Sequence, residues 1–117
     1  MDNSILSLFA SEFGCYCQYD LFGNELSYFQ LGPEDYPSDA QRMDWIAHLI
    51  KEEKYEDKIL MAHDIHTKHR LEHFGGHGFA HILQNVVPKL RDQKGISSEV
   101  IDKILVKNPA AVLEIPS

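Results

Sequence analysis

Two short runs rich in apolar and aromatic residues, Gly14-Cys15-Tyr16-Cys17-Gln18-Tyr19-Asp20 and Ile59-Leu60-Met61-Ala62-His63-Asp64, are separated by residues 21–58, an interval that holds one amphipathic helix. Runs of this length read as strands, and a strand–helix–strand order predicts a parallel pair joined by a right-handed crossover. Around them the pattern continues as helix. Residues 4–12 put Ile5, Leu8 and Phe9 on one face, with Asn3 or Ser4 as cap and Gly14 suited to the left-handed position after the last turn. Ser38 caps the crossover helix, whose stripe Met43, Ile46, Ala47, Ile50 follows helical spacing. Residues 79–91 resume as a helix bent near Pro88, a further helix capped by Ser97 follows, and Asn108-Pro109 opens a last short turn.

The expected order is helix, strand, helix, strand, helix, helix. Two parallel strands cannot bury both faces and leave two edges unpaired, so the pattern is that of part of a larger α/β domain. Residues 21–37, with Gly23, Gly32, Pro33 and Pro37, form a connection long enough to expect a functional role.

Composition bounds the function classes. The 117 residues are 44% hydrophobic and 25% charged, a globular balance, and no apolar run approaches the ~20 residues that a membrane span requires. Met1, Asp2 and Asn3 are unlike the basic start of a signal peptide, so a cytoplasmic protein without membrane contact is expected. Residues 1–57 hold 12 acids against 3 bases and residues 58–117 hold 6 against 8, which leaves no basic stripe for nucleic acid. Cys15 and Cys17 are poorly placed to bond each other and read as reduced thiols.

Six of the seven histidines lie between His63 and His81. His69-Arg70-Leu71-Glu72-His73 matches an H-x-x-E-H zinc pattern, but Gly75, Gly76 and Gly78 oppose one continuous helix through this region and no downstream glutamate completes the ligand set. Asp64 is the stronger candidate, because it closes a buried strand at the carboxyl edge where parallel α/β folds place their sites; a turn carboxylate is the plain alternative. Asp20 stands in the same relation to the first strand. Two carboxylates on one rim suit a metal or proton-transfer site.

The runs 14–23, 55–59 and 61–68, Gly75-Gly76-His77-Gly78 with His81-Ile82-Leu83, and Asn108-Pro109 resemble the C-terminal part of the phosphotriesterase-related proteins of the amidohydrolase superfamily, over nearly the whole chain from about residue 4. The resemblance implies a (β/α)8 TIM barrel of ~250 residues or more with two divalent metals, usually zinc, at its carboxyl mouth. Residues 1–117 would be one C-terminal segment of it, the helix before strand seven and then strands seven and eight with their helices. Asp64 is then the metal-binding aspartate, which also accepts the proton of the attacking hydroxide, and the remaining ligands lie on strands outside this chain. The implied reaction is hydrolysis of an amide or ester in a small molecule of the N-acetyltaurine or N-acyl amino acid type. Leu21 stands where bacterial phosphotriesterases carry His or Arg, which points away from organophosphates.

Beyond the resemblance, loops after the last barrel strands often hold anions with backbone amides. Gly75, Gly76 and Gly78, with His66 or His77, are therefore expected to cradle a sulfonate or carboxylate, or else simply to turn the chain into the next helix. Open strand edges and uncovered Tyr16 and Leu60 predict an inactive chain prone to self-association.

Overall fold

The computed structural model describes residues 3–25 and 36–116. Helix α1 (Asn3–Phe13) leads through Gly14, at φ 62°, into β1 (Cys17–Tyr19). Helix α2 (Asp39–Lys51) crosses over to β2 (Ile59–Met61), which lies parallel to β1 with Cys17 opposite Ile59 and Tyr19 opposite Met61. Short 3-10 turns at Lys68–Arg70 and Glu72–Phe74 follow. A π turn, Ile82–Val86, runs directly into α3 (Val87–Asp92); α4 (Ser98–Asp102), a second π turn (Lys103–Lys107) and α5 (Asn108–Leu113) form one helical run.

The crossover helix forms where its sequence directs. The Ser38 hydroxyl accepts from the Gln41 amide while the Gln41 side chain accepts from the Ser38 amide, a reciprocal cap that satisfies two otherwise free donors. Met43, Ile46, Ala47 and Ile50 are all buried, and they pack with Cys17, Tyr19, Phe22 and Ile59 and with Ile82, Val86, Leu90, Ile101 and Ile104 in one core. Residue alternation along β1 puts Cys17 and Tyr19 into this core and Gln18 on the opposite, open face. Burial pushes the Cys17 thiol up, as does neighbouring Cys15, so the thiol stays protonated and outside any disulfide.

Two sequence expectations need correction, the strand lengths and the last turn. The strands are shorter than 14–20 and 59–64, because both segments turn out of the ladder soon after residues 19 and 61. The α1 stripe faces outward, with Ile5, Leu8 and Phe9 each about half exposed and Phe13 65% exposed, while Ala10 joins the core. As expected from the nearby glycines, His69 and His73 sit in separate 3-10 turns, and the H-x-x-E-H residues share no helical face. Asn108-Pro109 continues a helix instead of opening a turn.

Both π turns end immediately before an X-Pro pair, at Val87-Pro88 and Asn108-Pro109, where the amides of Val87 and Asn108 bond to the carbonyls of Ile82 and Lys103, five residues back. Proline lacks a donor and crowds the carbonyl four residues behind it, and a wider turn accommodates that with a local bulge in place of a break. Buried Asn108 then donates to the Glu56 and Ile59 carbonyls, tying the last helix to the start of β2. Of the long connection 21–37, residues 26–35 lie outside the described residues, so the expected role of that segment is not addressed there.

Candidate functional site at the carboxyl ends of the strands

Past the ends of β1 and β2 the backbone stays paired for one further step: Ala62 N–H donates to the Tyr19 carbonyl and Phe22 N–H to the Ala62 carbonyl, at 3.0 and 3.2 Å. Beyond that point three residues on the same rim take left-handed conformations, Leu21 at φ 64°, Gly23 at 90° and Asp64 at 47°. Such values cost a non-glycine residue on the order of 1 kcal/mol and persist where surrounding contacts impose them. At Gly23 and Asp64 the contacts come from two buried polar clusters.

The first is centred on Asp39, in the opening turn of α2. Its carboxylate accepts from the Gly23 amide (3.0 and 3.1 Å to the two oxygens), from Arg42 Nη1 at 3.2 Å and from His81 Nε2 at 2.6 Å. Asn85 Nδ2 donates to His81 Nδ1 at 3.0 Å, which leaves Nε2 carrying the proton directed at Asp39. Burial holds the Arg42 guanidinium below its usual pKa, with Asp39 acting in the opposite direction. The Asp39 cluster joins the loop after β1, the crossover helix and the entry to the Ile82–Val86 turn.

The second cluster is centred on Arg70, 6% exposed. Its Nη2 donates to the Phe22 and His63 carbonyls, both at 2.9 Å, and its Nη1 to the Asp64 carbonyl at 3.2 Å. His63 Nε2 accepts from the Ile82 amide at 2.9 Å, so this ring is needed neutral; burial lowers its pKa, as do His81 and Arg70, against Asp39.

The sequence candidates distribute unevenly over this frame. Asp64 is exposed just past the end of β2, and among the described residues its carboxylate has no hydrogen-bond or ion-pair partner. His66 lies beside it, donating from Nδ1 to the Asp64 carbonyl at 2.9 Å. Asp20 follows β1 directly and its Oδ1 accepts from Gln18 Nε2 at 2.6 Å, so both carboxylates stand on the carboxyl rim without contacting each other. His77 stacks on His81 at 4.4 Å and borders an open cleft of about 240 Å³ lined by Gly23, Asn24, Glu25, His69, Arg70, Gly75, Gly76 and His77.

The glycine loop does not present amides to a ligand. Gly75 N–H is bonded to the Glu72 carbonyl, Gly76 to Leu71 and Gly78 to Arg70, at 2.9–3.1 Å. The expected anion cradle is therefore replaced by a self-satisfied loop. Glycine is required there for close approach, since a Cβ at Gly76 would sit 2.2 Å from the Arg70 carbonyl and one at Gly78 would sit 2.7 Å from Glu72 Cγ.

Sequence reading passed over Asp39, Arg42, His63, Arg70 and His81. Asp39 and Arg42 carried a signal, as charges lying on the apolar face of α2 with Met43 and Ile46. Arg70 carried none, sitting in a polar run with Lys68 and His69.

A parallel strand–helix–strand segment with its polar residues gathered at the carboxyl rim defines an α/β class of protein, and comparison with known proteins narrows it to a family. The sequence model of the phosphotriesterase family matches residues 2–113. A phosphotriesterase-related protein of Aedes aegypti is 52% identical over 97% of this chain and 32% of its own length, and the N-acetyltaurine hydrolase of Mus musculus is 54% identical over 85% and 28% respectively. Among solved structures, a resiniferatoxin-binding protein of Rhodobacter sphaeroides superposes with a TM-score of 0.85 at 29% identity, over 97% of this chain and 32% of that one. A phosphotriesterase homology protein of Escherichia coli, crystallised with phosphate in its active site, gives 0.71 at 26% identity, covering 93% and 33%. The chain belongs to the phosphotriesterase family, and it spans about a third of the length of the relatives it matches.

Proposed function

We propose that this chain supplies the Asp64 corner of a divalent-metal hydrolase site acting on amide bonds of small N-acylated amino or aminosulfonic acids of the N-acetyltaurine type. In this reading residues 1–117 are the C-terminal segment of a barrel, with β1 and β2 as its last two strands. The observation that carries it is the position of Asp64: an exposed carboxylate, free of protein partners among the described residues, held in a left-handed conformation at the carboxyl end of a parallel strand. Its chemistry fits a divalent cation such as zinc, which carboxylate oxygens ligate, and a complete barrel of the family would hold two. Among the described residues no three His, Cys, Asp or Glu side chains converge as a metal site, so Asp64 would act as one ligand among others provided outside this segment.

A bound divalent metal supplies Lewis acidity and acidifies water near neutral pH. Asp64 would hold the metal through its carboxylate, and the same carboxylate would take up the proton released as the nucleophile attacks. His66 and Asp20 border the same rim, where they orient the polar end of the substrate, and His77 adds a cationic or hydrogen-bonding face at the adjoining cleft. Gly76 shapes that cleft by close packing against Arg70, and Gly75, at φ 91°, by its left-handed turn.

A second reading, association with another chain, has its own observation. Half-exposed Ile5, Leu8 and Phe9 on α1 and the unpaired outer edge of each strand among the described residues are surfaces that another copy or a complementary segment could cover. The enzymatic reading is tested by replacing the matching 100 residues of the mouse N-acetyltaurine hydrolase with those of this chain. The replacement is expected to hydrolyse N-acetyltaurine, and Asp64→Asn in it is expected to abolish turnover. Full activity retained by the Asp64→Asn variant would refute it.

A further inference from the structure

Arg70 is a buried cation whose hydrogen bonds all go to main-chain carbonyls, and those carbonyls belong to both post-strand loops. Nη2 bridges Phe22 O and His63 O at 2.9 Å each, and Nη1 reaches Asp64 O at 3.2 Å. The Phe22 carbonyl lies after β1; the other two lie after β2. A planar fork serves these acceptors from two separate, fixed nitrogens, whereas lysine would have to serve them from a single freely rotating ammonium.

The base of Arg70 is seated with equal tightness. Its amide bonds to the Thr67 carbonyl, its own carbonyl accepts from Gly78, and Gly76 passes so close that any Cβ would overlap the Arg70 carbonyl. The other end of the contact is Asp64 at φ 47°, a conformation that leaves its carbonyl shared between Arg70 Nη1 and His66 Nδ1. Loss of these donors would remove what is seen to hold the carbonyl of Asp64, and an aspartate released from them relaxes toward negative φ.

We propose that Arg70 is a positioning residue for Asp64: its guanidinium, clamped over the Phe22, His63 and Asp64 carbonyls, imposes the left-handed conformation that aims the Asp64 carboxylate at the rim, and Gly76 and Gly78 serve to seat Arg70. The functional consequence rests on the reading of Asp64 as a metal ligand; the conformational claim stands apart from it. Outer groups that orient a ligand typically change metal affinity by about 10–100-fold when removed.

The test uses NMR on the full 117-residue chain. In the unaltered protein the Arg70 Nη protons are expected to be individually resolved and protected from exchange with water. In Arg70→Lys, the Asp64 ¹³Cα and ¹³Cβ shifts are expected to leave their left-handed values. Averaged, rapidly exchanging guanidinium protons, or Asp64 shifts unchanged in Arg70→Lys, would overturn the proposal; if the variant does not fold, the guanidinium signals of the unaltered protein decide it. In the segment-replaced mouse enzyme, Arg70→Lys should weaken zinc retention about tenfold while Asp64→Asn weakens it further. Undiminished zinc with Asp64→Asn would remove Asp64 as a ligand, leaving the NMR result to judge Arg70; zinc lost with Asp64→Asn but unchanged shifts in Arg70→Lys would retain the ligand and discard its positioning.

Discussion

The carboxyl rim and helix α1 are opposite kinds of surface. At the rim, charged groups are buried and mutually satisfied: Asp39 takes bonds from three elements and Arg70 gives bonds to two loops. Along α1, apolar side chains stand in solvent, with Leu8 50% and Phe13 65% exposed. A buried charge costs several kcal/mol unless its partners are in place, so the rim must be assembled whenever this chain is folded. An exposed apolar stripe gains nothing until something covers it. The contrast teaches that the polar clusters beneath the rim are satisfied from within the segment, whereas the α1 side leaves apolar surface uncovered.

The largest effect should come from the rim. Asp39→Ala leaves Arg42 and His81 buried without their carboxylate and should cost about 3 kcal/mol or more in denaturant unfolding; a loss below about 1 kcal/mol would mean that the cluster is not the rim's anchor. Gly76→Ala drives a methyl into the Arg70 main chain and should cost about 1–3 kcal/mol by the same measurement, with the Arg70 contacts displaced. A variant of unchanged stability would show that the loop yields easily.

A smaller effect should follow pH. The folded pKa of His63 lies below its unfolded value, because burial and the nearby Arg70 guanidinium disfavour its charged form and its Nε2 must accept from Ile82. Its contribution is therefore fully present above the unfolded value near 6.5 and is lost as pH falls through the lowered folded pKa. Unfolding curves for the unaltered protein and His63→Gln should converge as pH drops from about 7.5 to about 5; parallel curves would exclude this source. Smallest of all, Leu8→Gln with Phe13→Gln should change stability by no more than about 0.5 kcal/mol per site while reducing association measured by sedimentation. A large destabilisation would show that α1 is already packed.

Much of the frame was legible from the sequence, because periodicity and caps act locally: the Ser38 cap, the α2 stripe and the parallel order all follow from neighbouring residues. The sequence also placed Asp64 at the carboxyl end of the second strand, although β2 itself stops at Met61, three residues earlier. Arg70 was not, since its partners are main-chain carbonyls, which every residue carries and no side-chain pattern reveals. The glycine loop misled in the opposite direction: Gly75, Gly76 and Gly78 read as free amides for an anion, but hydrogen bonds back to residues 70–72 consume those donors. The outward face of α1 also escaped periodicity, which finds an apolar stripe without saying what lies against it.

Metal content and turnover of the 117-residue chain by itself test most directly whether Asp64 is one corner of a site completed elsewhere. Purified protein, loaded with zinc and dialysed, should retain far less than one zinc per chain and should not hydrolyse N-acetyltaurine. Stoichiometric, tightly held zinc accompanied by turnover would contradict the account.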